Sequence, residues 1–396
     1  MTAGAPDRSL VVTLAAVAAL GPVATNLYLP ALPAVREHFG ASVAEVQATF
    51  SVSLVMFAFG ILAWGPISDR YGRRIAVLGG LAIMVIGAIV SLASQSLGWL
   101  ITGRALQAFG TATGIVTARA IISDLYPVGQ MAKVLASITM VAVLGNSLAP
   151  VAGGLITEGF GWRAIFAALV LAAAVVAVAV WTRLPETRPP GAHPPRAREM
   201  ATTAWSLLRM PMFTGCVLQS AVIYATFLVF ISLAPYVMVS ALGRSPTEFG
   251  FYYLFIAVGY FLGNWSVRRL MARHDLHWMV VVGVLLTAGG AVAALACVAI
   301  GLTHPLWIFV PIGVLSYGQG LALPNVTATA VSLAPQYAGV ASSTIGFLQQ
   351  IIGAVAVQWM GRFPTDTALP VLLFCAVACL LGVGMLYVFP RVQAGR

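Results

Sequence analysis

The feature that most constrains this chain is a series of long apolar stretches that recurs along its whole length. A helix of ~20 apolar residues is long enough to cross the hydrocarbon core of a bilayer. Because that core has no water to satisfy backbone N–H and C=O groups, such stretches must be helical. A transmembrane barrel is excluded, since it would show alternating segments of about 10 residues. A soluble fold is also excluded, because only 8% of the side chains are charged, where about 25% is usual.

The apolar stretches predict an all-α membrane protein with twelve transmembrane helices in two six-helix bundles. The predicted spans are 9–33, 43–64, 75–95, 98–122, 132–156, 162–182, 211–240, 248–267, 278–300, 305–330, 339–360 and 368–390. The longest polar segment is rich in proline and lies near the middle of the chain, so we interpret it as a cytoplasmic linker. We therefore expect an N-terminal bundle at 1–183, a linker at 184–208 and a C-terminal bundle at 209–396.

The two predicted bundles share a weak internal repeat. Gly65-Pro-Ile-Ser-Asp-Arg-Tyr-Gly-Arg-Arg, between the second and third spans, has a degraded copy, Gly263-Asn-Trp-Ser-Val-Arg-Arg, between the eighth and ninth. The copies are 198 positions apart, which is half the chain. Together with the central linker, the repeat predicts the duplicated, pseudo-symmetric architecture of secondary transporters.

The net charge of +10 is distributed asymmetrically. About 15 of the 21 basic residues fall in alternate loops on one predicted side, and the opposite side has Arg36, Arg163, Arg244 and Arg362. Basic loops face the cytoplasm, so both termini are expected there. No basic cluster interleaved with aromatic residues lies on a polar face, and no role in nucleic-acid binding is expected. The four cysteines lack further ligands at zinc-site spacing, so we expect no metal and no cofactor.

The loop from Gly65 to Arg74 is the most informative motif. On its own, a positive-inside loop with a solvated acid is an alternative explanation. Its sequence, however, closely resembles the signature loop of the major facilitator superfamily. That resemblance implies a cytoplasmic gate in which Asp69 and the arginines contact the eleventh span and an acid at the end of the fourth, here Asp124. The residues assigned to this gate are Gly65, Asp69, Arg70, Gly72, Arg73, Arg74 and Asp124.

Arg104 is the only charge well inside a predicted span. One interpretation is that its side chain snorkels to the headgroups. The other is that it faces a substrate cavity, since an unpaired arginine at the bilayer centre costs at least ~2.5 kcal/mol. Gln107 shares its helix face and is placed to solvate it. Leu100 to Gly110 also resembles the superfamily's fourth-helix motif, which favours the second interpretation.

The fifth span carries Gly145-Asn-Ser-Leu-Ala-Pro-Val-Ala-Gly-Gly. Small residues permit close helix contact, and Pro150 predicts a kink. Generic membrane packing explains this pattern, but it also resembles the fifth-helix motif of exporters in the superfamily, with Ala149 in place of a usual glycine. The resemblance implies export through Gly145, Pro150, Gly153 and Gly154.

The first span contains Thr-Asn-Leu-Tyr-Leu-Pro-Ala-Leu-Pro. With Ser-Pro-Thr-Glu-Phe-Gly at 245–250 and Leu-Pro-Asn at 323–325, it resembles the bicyclomycin and chloramphenicol resistance (Bcr/CflA) type of drug/H⁺ antiporter. In many relatives of this type an aspartate stands where this chain has Asn26, which does not titrate. For Asn26 an interhelical hydrogen bond is an alternative to ligand contact.

No Asp, Glu or His lies in the middle of any predicted span. A cationic substrate would therefore have no central counter-charge, and Arg104 would repel it, so neutral or anionic amphiphiles are expected. Proton coupling must then use a carboxylate near a membrane edge, namely Asp69, Asp124 or Glu248, or be absent. The substrate cavity is expected to contain Asn26, Tyr28, Arg104, Gln107, Asn146, Tyr224, Tyr236, Asn325 and Gln349. Of the adjacent Gln349 and Gln350, which are ~100° apart on a helix, only one is expected to face it.

The sequence predicts a secondary active exporter of the bacterial cytoplasmic membrane that moves small amphiphilic compounds by alternating access in exchange for protons. An uncoupled facilitative transporter and a non-transporting membrane sensor are the alternatives. No Walker-type phosphate loop and no intramembrane catalytic motif is present, so an enzyme is not expected. The expected partners are a small-molecule substrate, protons and the lipid bilayer, and the resemblance implies a monomer.

Overall fold

The computed structural model describes residues 8–188 and 197–388. The chain divides into two compact units, Met1–Pro195 and Arg196–Arg396. Every regular element in the described residues is helical. The middle of the predicted linker, at 189–196, and both termini lie outside the described residues.

The first unit contains seven α-helices among its described residues. These are α1 (Arg8–Tyr28), α2 (Leu32–Phe39), α3 (Val43–Tyr71), α4 (Arg73–Leu92), α5 (Leu97–Leu125), α6 (Val128–Phe160) and α7 (Arg163–Arg183). A single 3₁₀ turn, Leu29–Ala31, joins α1 to α2. Its Pro30 lacks the N–H that a continuous helix needs there, so the predicted first span is two helices and extends beyond residue 33.

The second unit contains a further seven α-helices. They are α8 (Ala197–Leu208), α9 (Pro211–Tyr236), α10 (Pro246–Leu270), α11 (Leu276–Ala299), α12 (Leu306–Ser332), α13 (Ala338–Met360) and α14 (Leu369–Val388). One π-helical stretch, Val237–Ala241, prolongs α9. A 3₁₀ turn, Pro335–Tyr337, precedes α13.

The second part of the predicted linker, up to residue 208, is helix α8. Leu207 at its end is buried in one apolar cluster with Phe213, Ala341 and Ile345, which belong to α9 and α13. Helix α8 is therefore packed against the second unit, to which it belongs.

Eleven helices in the described residues are long and apolar enough to cross a membrane. The predicted eighth span forms α10, a helix of 25 residues, which is not among those eleven. Its ends carry Glu248, Asn264, Arg268 and Arg269, and these polar residues make it less apolar than its neighbours. In length it matches the other spans.

Close backbone contacts join the helices within each unit. A Cβ at Gly153 of α6 would collide with the carbonyl of Leu27 in α1, and a Cβ at Gly259 of α10 would collide with the carbonyl of Gly313 in α12. In a membrane, small residues allow this approach, and the gain is van der Waals contact rather than a hydrophobic driving force.

Candidate functional site

The predicted loop from Gly65 to Arg74 is almost entirely helical. Helix α3 continues through Pro66 to Tyr71, and α4 begins at Arg73, so Gly72 alone separates them. Its φ of 105° is a conformation that suits glycine and few other residues. Gly65 lies inside α3, where an added Cβ would meet only Val116 at ordinary contact distance. The predicted loop is thus a break of one residue between two long helices.

Arg73 is bonded to both carboxylates of the predicted gate. Its guanidinium forms an ion pair with Asp69 one turn earlier and a second with Asp124 of α5, whose Oδ2 accepts from Nε at 3.0 Å. It also donates to the hydroxyl of Ser68 at 2.7 Å. Arg73 is only 7% exposed. We call Asp69, Arg73 and Asp124 the Arg73 triad; its guanidinium is buried, whereas the two carboxylates are partly exposed. A buried guanidinium of this kind depends on its carboxylate partners.

Glu186, just after α7, completes this end of the first unit and was missed in the sequence. Its carboxylate accepts from the backbone N–H groups of Arg73 at 2.8 Å and Arg74 at 3.3 Å, which begin α4. Burial acts to raise the pKa of Glu186, but hydrogen bonds from the N–H groups of Arg188, Arg73, Arg74 and Thr187 outweigh it and lower that pKa below its ordinary value. A carboxylate at a helix N-terminus is favourable because it satisfies free N–H groups and meets the positive end of the helix dipole.

Arg70 and Arg74 lie outside the triad. The Arg74 guanidinium lies 5.0 Å from the ring of Trp181 and donates to the Trp181 carbonyl. Arg70 lies 5.3 Å from the Tyr71 ring. Both arginines therefore occupy the surface around the triad, and the motif's arginines differ in environment.

Arg104 is buried, with 2% of its surface exposed, so its side chain does not reach the surface as the snorkelling interpretation required. Its guanidinium lies 4.6 Å from the ring of Tyr28 and donates to Gln107 Oε1 at 2.6 Å. The hydroxyls of Tyr28 and Thr49 share a hydrogen bond of 3.0 Å. We call Tyr28, Thr49, Arg104 and Gln107 the Arg104 cluster; Thr49 was not predicted.

The Arg104 cluster contains hydrogen-bond donors that are not used. Within the part of the chain that the structure describes, the buried Nε of Arg104 and Nε2 of Gln107 have no hydrogen-bond partner, and no carboxylate forms an ion pair with Arg104. A buried donor left unsatisfied costs ~1–3 kcal/mol. The cluster is therefore suited to donate hydrogen bonds to oxygen atoms of a ligand.

Asn26 and Asn146 contact each other. The side-chain amide of Asn26 donates to the side-chain carbonyl of Asn146 and to the Pro22 carbonyl at 3.1 Å. This hydrogen bond joins α1 to α6. It is the interhelical hydrogen bond that the sequence offered as an alternative to ligand contact for Asn26. It lies along the same pair of helices as Gly145, Pro150, Gly153 and Gly154, the predicted exporter motif.

In the second unit, Tyr224 of α9 lies close to Gln350 of α13 and to Tyr253 and Tyr260 of α10. Gln350 is buried, whereas Gln349, the predicted cavity residue, is half-buried. The sequence identified the pair but not which member lies beside Tyr224, because the rotation of α13 depends on its packing.

The surroundings of the other predicted residues of the second unit differ from one residue to the next. Asn325 donates to the Leu321 carbonyl of its own helix at 2.7 Å and contacts the sulfur of Met279. Tyr236 is fully buried at the end of α9. Glu248 lies in the first turn of α10, 3.8 Å from Arg244, and both side chains are more than 40% exposed.

Comparisons with known proteins agree on the family. The Major Facilitator Superfamily profile matches residues 14–357. The chain is 26% identical to the bicyclomycin resistance protein homolog of Haemophilus influenzae, covering 96% of this chain and 95% of that one. It is 29% identical to the chloramphenicol resistance protein of Pseudomonas aeruginosa, covering 95% and 89%.

Solved structures agree on the fold. The xylose transporter XylE from E. coli matches with a TM-score of 0.75 at 13% identity, covering 98% of each chain. A peptide transporter POT in complex with sulfate matches with a TM-score of 0.79 at 15% identity, covering 96% of this chain and 93% of that one. The signature motif around Arg73, the helical fold and the profile match over most of the chain lead to one conclusion: this protein is a membrane transporter of the Major Facilitator Superfamily.

Proposed function

We propose that this transporter exports small amphiphilic compounds, preferring neutral or anionic molecules, in exchange for protons. The observation that carries the proposal is the Arg104 cluster, in which a buried guanidinium has an aromatic ring and an amide as its partners. A ligand carbonyl, hydroxyl or carboxylate would accept from the unused donors of Arg104 and Gln107. A cation would meet an unbalanced positive charge in a medium of low dielectric constant.

The names of the relatives support export of drugs. Bicyclomycin, chloramphenicol and multidrug resistance are the properties for which three relatives are named. The close contact of α1 and α6 at Gly153 supports the same direction of transport, since it lies in the motif that resembles the exporters' fifth helix. Chloramphenicol, an uncharged molecule with several oxygen acceptors, is the first compound to test.

For proton coupling we propose the Arg73 triad rather than Glu248. Protonating Asp69 or Asp124 would remove one partner of a buried arginine, and breaking a buried pair has a large effect on free energy. The pair of Glu248 with Arg244 is exposed and long, and such pairs contribute ~1 kcal/mol or less. If protons are coupled at the triad, opening of the cytoplasmic gate would depend on protonation of Asp69 or Asp124.

We also propose the setting in which transport occurs. The excess of arginine in alternate loops supports a bacterial cytoplasmic membrane location with both termini in the cytoplasm. Bundles at 1–183 and 209–396, joined by a linker at 184–208, would alternate access to a central site as a monomer. Gly65, Asp69, Arg70, Gly72, Arg73, Arg74 and Asp124 would form the gate.

The test uses purified protein in proteoliposomes with an imposed pH gradient. Chloramphenicol should move against its gradient while protons move the other way, and ethidium, a cation, should move poorly. Arg104→Gln should lower the chloramphenicol flux at least about tenfold, which corresponds to ~1.4 kcal/mol. Arg119→Gln is the matched control, because Arg119 lies exposed on the same helix, and it should retain the flux.

Three results would overturn parts of the proposal. Faster movement of ethidium than of chloramphenicol would contradict the substrate preference. Equal losses in Arg104→Gln and Arg119→Gln would contradict the role of the Arg104 cluster. Chloramphenicol flux without proton movement would replace antiport by facilitated transport, the alternative that is favoured by the lack of an ion-pair partner for Arg104 in the described residues.

A further inference from the structure

The exposed face of α10 differs from an ordinary membrane-facing surface because it is continuous with a group of arginines. Five apolar side chains on this face are each between 40% and 55% exposed. They are Phe251, Phe255, Val258, Leu262 and Trp265. Their spacing of three and four residues places them in one stripe along the helix. We call this set the α10 stripe.

The α10 stripe continues into Arg269 and Arg273. Helical hydrogen bonding extends past the end of α10, since the N–H groups of Met271 and His274 donate to the carbonyls of Val267 and Leu270, each at 2.9 Å. Arg269 is therefore four residues beyond Trp265 on the same face, and Arg273 is four residues further. The Arg269 guanidinium lies 3.8 Å from the ring of Trp265.

These arginines have no acidic partner among the residues that the structure describes. None of the ion pairs found there includes Arg268, Arg269 or Arg273. The nearest acid along the chain, Asp275, accepts from the backbone N–H of Trp278 at 2.8 Å and caps α11. The positive charge at this corner is thus exposed and uncompensated.

The internal repeat explains why the charge is free. Position 69, an aspartate that binds Arg73 in the first unit, corresponds to Val267 in the second. Position 73 itself corresponds to Met271. The second copy has therefore kept Arg268, which corresponds to Arg70, and carries Arg269 where the first copy has Tyr71. It has neither the acid nor the arginine that form the ionic group of the first copy.

We propose that the α10 stripe together with Arg269 and Arg273 binds one anionic phospholipid of the surrounding bilayer. From Phe255 to Trp265 the helix rises about 15 Å at 1.5 Å per residue, which is half of the ~30 Å hydrocarbon core and matches the acyl chains of one leaflet. Trp265 lies where an indole is favourable, at headgroup depth. The two guanidiniums then meet the phosphate, which they bind with charge-assisted hydrogen bonds.

A lipid accounts for the whole surface better than a soluble anion does. The arginines alone would attract any phosphate, but the apolar stripe that leads away from them would remain unused. Basic groups beside a membrane attract anionic lipids. Burial of the acyl chains against the stripe adds specificity for an amphiphile. The occupant is therefore a phospholipid with net negative charge, such as phosphatidylglycerol.

Native mass spectrometry of the purified full-length protein in detergent tests this directly. The protein is titrated with phosphatidylglycerol, with phosphatidylcholine and with free glycerol phosphate. We expect phosphatidylglycerol to bind at least about tenfold more tightly than phosphatidylcholine, with glycerol phosphate at background. Arg269→Gln/Arg273→Gln should remove that preference, and Arg269→Lys/Arg273→Lys should retain part of it, because lysine keeps the charge without the planar fork.

The matched control is Arg183→Gln/Arg198→Gln, which removes the same charge from two other exposed arginines. It should leave the phosphatidylglycerol preference unchanged. The proposal is wrong if this control loses the preference as strongly as Arg269→Gln/Arg273→Gln does. It is also wrong if Arg269→Gln/Arg273→Gln does not change the preference, or if free glycerol phosphate competes with the lipid at equal concentration. A preference that survives Phe255→Ala/Leu262→Ala undiminished would also contradict it, since the acyl chains would then not lie on the stripe.

Discussion

Among the described residues of the first unit two arginines are buried, and their surroundings are opposite. Arg73 is 7% exposed and is paired with two carboxylates, whereas Arg104 is 2% exposed and has only an aromatic ring and an amide. The first arrangement gives the guanidinium two counter-charges and stabilises a junction of helices. The second leaves positive charge and donors available. Burial alone therefore does not tell whether an arginine stabilises the fold or is available to a ligand. The number of its carboxylate partners separates these two roles.

The comparison predicts losses of stability of very different size when each environment is altered. Asp69→Asn/Asp124→Asn leaves Arg73 buried without a counter-charge, and the free energy of unfolding should fall by about 3 kcal/mol. Arg104→Gln removes a charge that already has no counter-charge, so the loss should be below ~1 kcal/mol. Thermal unfolding in detergent measures both.

The control for this prediction is the triple change Asp69→Asn/Asp124→Asn/Arg73→Met. It removes the isolated charge together with its partners, and we expect most of the lost stability to return. If the triple variant is as unstable as the double one, the loss arises from packing and the comparison between the two arginines fails.

A smaller effect is expected at Glu186, which caps α4. Glu186→Ala should lower the free energy of unfolding by about 1 kcal/mol at pH 7, as is usual when a helix cap is lost. Because the pKa of Glu186 is lowered in the folded protein, its contribution is complete above the unfolded pKa of ~4.3 and is lost as the pH falls through the folded value.

Unfolding of the wild type and of Glu186→Ala is therefore compared at pH 7, 5 and 3. The gap between the two proteins should be constant from pH 7 to pH 5 and should narrow toward pH 3. Glu37→Ala, a change at an exposed glutamate on α2, is the control and should show no comparable pH-dependent gap. A gap that widens on acidification would contradict the capping role.

The smallest effect is expected at the second unit's pair of Arg244 and Glu248. The two groups are 3.8 Å apart and largely exposed, so Glu248→Gln should change the free energy of unfolding by less than ~1 kcal/mol. If the Arg73 triad couples transport to protons, Glu248→Gln should also leave proton-coupled flux within about twofold of the wild type. A loss of coupling in Glu248→Gln with retained folding would move the coupling site to the second unit.

The sequence was a good guide to the helices and to the acid partner of Arg73. Apolar length predicts spans because a bilayer accepts few other structures, and the signature motif led to Asp124, which does pair with Arg73. The sequence analysis did not find Glu186, because this residue is 113 residues from Arg73 along the chain. It also follows a proline in a loop, where no helical periodicity indicates what its side chain contacts. Its only signal was the isolated acid in Leu-Pro-Glu-Thr-Arg directly after an apolar span.

Side-chain direction was the second property that the sequence left open. Snorkelling and burial of Arg104 differ by a rotation about side-chain bonds, and the choice depends on Tyr28, which comes from another helix. The choice between Gln349 and Gln350 depends in the same way on how α13 is rotated against Tyr224 of α9. Helix α8 was missed as a helix because its sequence is polar, although Leu207 and Leu208 at its end pack against α9 and α13.

The break at Gly72 has a mechanical consequence. A single residue offers two soft torsions, φ and ψ, so α3 and α4 have little freedom to pivot independently about it. Glu186 holds the first amides of α4 from the far side and ties them to the end of α7. Any movement at this end should therefore displace the end of α3, the start of α4 and the end of α7 together. Bending of these helices should occur away from this junction.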